Sequence, residues 1–151
     1  MLFAEAWDLV ERSFGPHSFD LMSLDSKLSK GSLRSNAFLI PHLWPTPASQ
    51  GINAFAQPIP LGHNIYVFPP FVLVEPLLRY FIEKAFREAF TLVVPDLRPR
   101  RFWWALLRAV SVDRLLLCRK GDGTVLLFRS RSALVWSLRN LQWDLWAYRF
   151  S

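Results

Sequence analysis

The sequence predicts an α/β domain built on a mainly parallel sheet, with helices on both faces and an antiparallel hairpin near its C-terminal end. Three observations predict it. Segments of helical period alternate with short apolar or β-branched runs, the pattern of strand-helix-strand crossovers. The run Ile65-Tyr66-Val67-Phe68 is stopped by Pro69-Pro70 and followed at once by a helix-like segment, so a strand, a rigid turn and a helix succeed one another. Arg119-Lys120-Gly121-Asp122-Gly123 separates two further apolar runs and carries a strong hairpin signal. At 151 residues, 52% of them hydrophobic, the chain has the size of a single domain over residues 1–151 and can bury a real core.

The elements follow in order. Phe3, Ala6, Trp7, Val10 and Phe14 recur at helical spacing, with Glu5, Asp8, Glu11 and Arg12 on the other side, and Gly15-Pro16 ends this amphipathic helix. Residues 18–24 form a short strand around Phe19, Leu21, Met22 and Leu24. Asp20 and Asp25 flank its end, where a carboxylate can hold the amino or ribose group of a nucleotide-like cofactor or cap the next segment; Ser26 beside Asp25 favours capping there. Residues 27–36, with their serines, lysines and Gly31, read as an exposed loop, and no Gly-x-Gly-x-x-Gly cofactor loop is present. Residues 38–40 read as a second strand, residues 44–51 as Pro/Gly punctuation, and residues 52–56 as another strand. Asn53 is the one polar group of the last, suited to an adenine ring or to local backbone.

Beyond the double proline, Pro76 suits a first helical turn. Leu77, Leu78, Phe81, Ile82, Ala85 and Phe86 then oppose Arg79, Glu83, Lys84 and Arg87. Residues 91–94, bounded by Pro95, form a core strand. Residues 101–110 form a helix with Phe102, Trp103, Leu106, Leu107 and Val110 available to its inner face. Residues 114–118 and 124–128 pair across the hairpin signal, and residues 143–150 make a closing strand. Strands 19–24, 64–68 and 91–95 are expected to lie parallel in one sheet, because the crossovers demand it.

The net charge of +6 is uneven: from Asp96 onward there are 11 Lys and Arg against 4 Asp and Glu, and before it 7 against 8. Arg98, Arg100, Arg101, Arg119 and Lys120 can neutralise phosphates, and Trp103 and Trp104 beside them can stack on bases; the alternative is a solvated loop beside core tryptophans. No apolar window is long enough for a membrane span, and no secretory leader precedes the first helix. Cys118 cannot form an internal disulfide, which suits an intracellular chain in cytoplasm or nucleus, and it reads as a packed strand residue within Leu115-Leu116-Leu117-Cys118. His17, His42 and His63 show no metal-ligand spacing, so no metal is expected.

Four stretches also carry a family likeness. They are residues 14–22 (Phe-Gly-Pro-His-Ser-Phe-Asp-Leu-Met), residues 51–57 (Gly-Ile-Asn-Ala-Phe-Ala-Gln), residues 66–71 (Tyr-Val-Phe-Pro-Pro-Phe), and Val93-Val94-Pro95-Asp96 with Trp103-Trp104 and Leu106-Leu107. In this order and spacing the chain resembles, over roughly residues 3–150, the segment after the RNase H region in pol polyproteins of DIRS-type tyrosine-recombinase retrotransposons. That segment is in turn similar to phage-type (Dam-like) DNA N6-adenine methyltransferases. The resemblance implies a Rossmann-like, S-adenosylmethionine-dependent fold. Asp20 and Asp25 would lie near the cofactor, Asn53 near its adenine, and the degenerate turn Phe68, Pro69, Pro70 and Phe71 at the target base.

In such enzymes an Asp or Asn precedes the two prolines and holds the amine to be methylated, whereas Phe68 can neither donate nor accept a hydrogen bond. The resemblance therefore implies a degenerate methyltransferase-like module that binds nucleic acid, DNA in preference to RNA, or packs on the reverse transcriptase and RNase H regions of a polyprotein. The alternative is an active adenine-N6 methyltransferase. Nothing resembles the polymerase or RNase H active sites, so the chain is expected to be a fragment or stand-alone relic of the larger polyprotein.

Overall fold

A computed structural model describes residues 4–23, 34–37, 62–69, 71–83, 88–121, 126–129, 135–138 and 141–151. In chain order the elements are α1 (Ala4–Phe14), β1 (Phe19–Ser23), β2 (Arg34–Ala37), β3 (Ile65–Val67), a 3-10 turn (Phe71–Leu73), α2 (Val74–Glu83), β4 (Phe90–Pro95), α3 (Trp103–Val110), β5 (Asp113–Cys118), β6 (Leu126–Arg129), β7 (Val135–Leu138) and β8 (Leu145–Phe150).

Six strands form one mixed sheet in the order β2-β1-β3-β4-β8-β5. The first four run parallel, with Phe19 level with Ile65 and Ile65 level with Phe90. This is the parallel arrangement expected of strands 19–24, 64–68 and 91–95. β8 runs antiparallel to both β4 and β5, which makes β4 and β5 parallel to each other. The remaining pair, β6 and β7, forms a separate antiparallel ladder.

Period-2 alternation sends each strand's side chains to two cores. On one face Phe19, Leu21, Ile65, Val67, Leu92 and Tyr148 meet α2 through Leu77, Leu78 and Phe81, and α3 through Trp103, Trp104 and Leu107. On the other, Tyr66, Val93, Leu145 and Ala147 meet α1 through Ala6, Trp7 and Val10. Helices therefore cover both faces, and β3 and β4 are buried throughout, as strands covered on both sides must be.

Four expectations are corrected. The hairpin between residues 114–118 and 124–128 does not form: β5 pairs with β8, and β6 pairs with β7. The chain does turn at Gly121, whose φ of 84° suits a residue without Cβ, but the Gly121 N–H donates to the Leu141 carbonyl at 2.8 Å and leads β5 toward the segment entering β8. A turn signal fixes where the chain bends, not which strand it meets. β8, apolar on both faces, takes the interior place, and β5, with Asp113 and Arg114 exposed, takes the edge.

Residues 34–36 of the expected loop belong to β2, an edge strand. In α3, Phe102, Leu106 and Val110 face solvent while Trp103, Trp104 and Leu107 face the core. In α2, Ile82 is exposed. The strands expected at residues 38–40 and 52–56 lie outside the described residues, as do Ala85 and Phe86.

Candidate functional site

The strand order reverses direction between β1 and β3: β1 has β2 on one side and β3 on the other. In open parallel sheets such a switch point opens a crevice at the carboxyl ends of the strands, where ligands bind. Phe68 is the first residue beyond β3 at that edge. Its ring is half-buried and packs on the core beneath α1, and Pro69 is buried. Phe71 opens the 3-10 turn and meets Trp143, itself half-buried, edge to face at 4.8 Å and 84°. Both aromatic residues of the turn are thus engaged by the protein's own side chains. Pro70 lies outside the described residues.

The same edge gathers the basic residues. Arg98, Arg100 and Arg101 follow β4, while Arg119 and Lys120 follow β5, which runs parallel to it. Asp144, just before β8, ties these loops together. Its carbonyl accepts the Asp96 N–H at 2.8 Å, and its Oδ1 accepts the Lys120 N–H at 2.7 Å. Asp96, only 7% exposed, is the local counter-charge. Its carboxylate accepts Arg98 Nη2 at 3.2 Å and Arg100 Nε at 3.3 Å, and the Arg100 guanidinium lies 5.2 Å from the Trp104 ring. One carboxylate thus orients two cations whose side chains stay well exposed, and Arg101, Arg119 and Lys120 are exposed with them.

Trp103 requires correction as a stacking residue. It is 5% exposed and belongs to the core beside Trp104, because α3 turns both indoles toward the sheet. Cys118 is buried, as expected of a packed strand residue.

Of the expected cofactor residues only Asp20 is among the described residues, and it does not lie at this edge. Asp20 is the second residue of β1, level with Tyr66 and Thr91 and away from the strand's carboxyl end at Ser23. It is buried on the face of α1 and, after burial itself, helps push the Tyr66 phenol well above its ordinary pKa. Asp25 and Asn53 lie outside the described residues. Among the described residues no group of His, Cys, Asp and Glu could hold a metal ion, and no helix is long and apolar enough to cross a membrane.

At the opposite edge the structure holds a polar network that the sequence did not reveal. The Glu11 carboxylate contacts His17 Nδ1, His17 Nε2 lies 2.7 Å from Thr91 Oγ1, and Arg149 Nη1 donates to Thr91 Oγ1 at 2.9 Å and to Asn64 Oδ1 at 2.6 Å. Asn64 Nδ2 in turn donates to the carbonyls of Phe14 and Pro16 at 2.9 and 3.0 Å. The bonds have a consistent direction when His17 is neutral: Arg149 donates to Thr91, Thr91 to His17 Nε2, and His17 Nδ1 to Glu11. Burial holds the His17 imidazole below its ordinary pKa, with Glu11 pulling the other way and Arg149 adding to the depression.

Gly15 permits this corner, since a Cβ there would stand 2.5 Å from the Glu11 carbonyl oxygen. The signal for the network was Thr91 and Arg149 interrupting two otherwise apolar strands, since a polar group in a buried strand needs a partner. Every side chain in it is spent on another, which marks it as a structural clamp between α1, β4 and β8.

Comparison with protein-family models and with curated proteins finds no match, so function is argued from this geometry.

Proposed function

We propose that this chain is a degenerate DNA N6-adenine methyltransferase-like domain of a retrotransposon polyprotein, acting as a non-catalytic module that binds nucleic acid. The observation that carries the reading is that the Phe68-Pro69 turn, at the β1/β3 switch point, and five basic residues, after β4 and β5, share the carboxyl edge of one sheet. The parallel order β2-β1-β3-β4 with an antiparallel strand added beyond it supports a Rossmann-like ancestry.

The chemistry of the turn argues against transfer. Methylation of an exocyclic amine needs hydrogen-bond groups that hold the lone pair in line, and loss of one positioning donor of this kind costs about 10²–10³ in rate. Phe68 supplies none, and its ring lies against the core. Asp20, near the start of β1, lies short of the strand's carboxyl end, which does not favour a hold on S-adenosylmethionine from that side chain. Packing on reverse transcriptase and RNase H regions remains the structural side of the same proposal, and DNA is the preferred nucleic acid over RNA.

The test has two arms. Binding to duplex DNA, single-stranded DNA and RNA is measured across a salt series, in which affinity should fall steeply; Arg101→Ala with Lys120→Ala should reduce the slope by about 1 for each phosphate no longer neutralised. Adenine methylation is assayed with S-adenosylmethionine for wild type and Phe68→Asn, and both should be silent. Robust transfer by the wild type would establish the active enzyme instead, and salt-indifferent binding would return the basic residues to a solvated edge.

A further inference from the structure

Three aromatic rings on the α3 side of the sheet stand among arginines. Tyr148, buried on β8, meets Trp104 of α3 edge to face at 5.7 Å and Trp146 of its own strand at 6.4 Å. Arg100 holds its guanidinium 5.2 Å from the Trp104 ring, and Arg114 holds its own 5.8 Å from the Trp146 ring. Arg114 is level with Tyr148 across the antiparallel pair of β5 and β8, so the two side chains share a face. Arg108 lies one turn along α3 from Trp104, exposed, on the flank away from Leu106 and Val110. All three arginines therefore border one cluster of rings.

The electrostatics agree with that placement. Burial pushes the Tyr148 phenol above its ordinary pKa, Arg108, Arg114 and Arg100 act against the rise, and Asp96 adds to it. Charges near a surface reach one another over about 8–10 Å in physiological salt, so the three guanidinium groups stand around this phenol. Among the described residues Arg108 and Arg114 meet no carboxylate, and Asp96, shared with Arg98, is the counter-charge of Arg100. Three guanidinium groups thus face one carboxylate, an excess of two positive charges. The indole Nε1 atoms of Trp104 and Trp146 are buried, and neither has a hydrogen-bond partner among the described residues. A buried donor left without an acceptor is costly, and an oxyanion drawn in by guanidinium groups is an acceptor that suits it.

We propose that Arg100, Arg108 and Arg114 form a site for a dianionic phosphate group, inorganic phosphate or a terminal phosphate monoester, beside the Trp104, Tyr148 and Trp146 rings. A monoester carries a charge of about −1.5 to −2 at pH 7, which the local excess of positive charge matches, whereas each internal phosphodiester of a nucleic-acid strand carries a single charge. Guanidinium groups pair bidentately with phosphate oxygens while they stack on rings, and the ring contacts are already in place here. A carboxylate ligand brings less charge and fewer oxygens. Only Arg100 is shared with the basic residues of the carboxyl edge, so this site stands apart from nucleic-acid binding there.

The probes are inorganic phosphate, acetate, and a short fluorescein-labelled oligothymidylate that ends in a 5′-phosphate or a 5′-hydroxyl. Tryptophan fluorescence reads phosphate and acetate at constant ionic strength, and anisotropy reads the oligonucleotides. Each is measured on the full chain, on Arg108→Gln with Arg114→Gln, and on Arg108→Lys with Arg114→Lys, with folding checked by circular dichroism and melting. Phosphate should bind saturably and acetate should not, and the glutamine pair should weaken phosphate about tenfold or more. The lysine pair keeps the charge without the bidentate fork and should retain part of the affinity. A preference for the 5′-phosphate oligonucleotide that the glutamine pair abolishes would identify a strand end as the source of the phosphate. No difference between the two oligonucleotides, with inorganic phosphate still bound, would identify free phosphate instead. Absence of saturable phosphate binding, an equal response to acetate, or indifference to the glutamine pair would overturn the proposal. So would an equal loss of the 5′-hydroxyl oligonucleotide in the glutamine pair, which would make these arginines part of the general basic edge.

Discussion

His17 and Thr91, 74 positions apart in sequence, meet through Nε2 and Oγ1 at 2.7 Å and join the loop after α1 to the centre of the sheet. Glu11 and Arg149 complete the contact from either side, while Trp7 and Tyr66 pack against the imidazole, at centroid distances of 6.0 and 5.8 Å. A second proton on His17 would turn Nε2 into a donor, leaving the Thr91 oxygen to accept from two cations and its own hydrogen without His17 as acceptor.

Stability is therefore expected to fall as pH drops below the ordinary imidazole value of 6.5. The folded-state pKa is lowered, so above 6.5 both states are neutral and no free energy is at stake. Below it the unfolded chain takes up a proton that the folded chain refuses, until the folded pKa is reached. Urea denaturation at pH 8, 6.5 and 5.5 should show this loss in the wild type and a smaller one in His17→Gln. Equal slopes for the two proteins would place the titration elsewhere.

Thr91→Val keeps the shape of the strand but removes the hydroxyl that His17 and Arg149 share. The loss should be about 1–3 kcal/mol, the usual cost of a buried group left without its partner. Chemical denaturation measures it. A neutral outcome would mean that the two side chains find water instead.

Asp96→Asn should move two observables in opposite directions. Arg98 and Arg100 lose the carboxylate that orients them, so stability should fall by about 0.5–1 kcal/mol, the range for pairs whose cations stay exposed. The edge also loses a negative charge that pairs Arg98 and Arg100, so DNA affinity at low salt should rise, and its salt dependence steepen as the freed arginines neutralise phosphates. Parallel loss of both would show that orientation by Asp96 matters more than charge.

Adjacent leucines on α3 give the most direct check of its orientation. Leu107→Ala should cost about 2–5 kcal/mol, as a fully buried leucine does, and Leu106→Ala should cost less than about 1 kcal/mol. Thermal melting of the two variants suffices.

Much of the fold was legible because it is local. The period of α1 and α2, the stop at Pro69-Pro70, and the β-branched run before Pro95 each follow from neighbours in sequence. α3 was harder because Phe102, Leu106 and Val110 fit one apolar face as well as Trp103 and Leu107 fit another, and periodicity alone cannot say which one meets the sheet. The partner of β5 was hidden because the turn at Gly121 is a local signal while β8 is a distant one. At the candidate site, the basic residues could be picked out by composition, but their common edge came only from the strand order, and burial removed Trp103. The network around His17 was not legible because its members come from four separate stretches.

The place of β8 between β4 and β5 makes the order of synthesis differ from the order of the strands in the sheet. β5 leaves the ribosome before the strand that will hold it, and until Leu145–Phe150 arrives the exposed flank of β4 is an unpaired edge available to any other strand. A nascent chain paused before residue 145 would hold β1, β3 and β4 with their helices, but with β5 unattached and the aromatic face of β8 missing beneath α3. Such a pause is where misassembly of this protein is expected to begin.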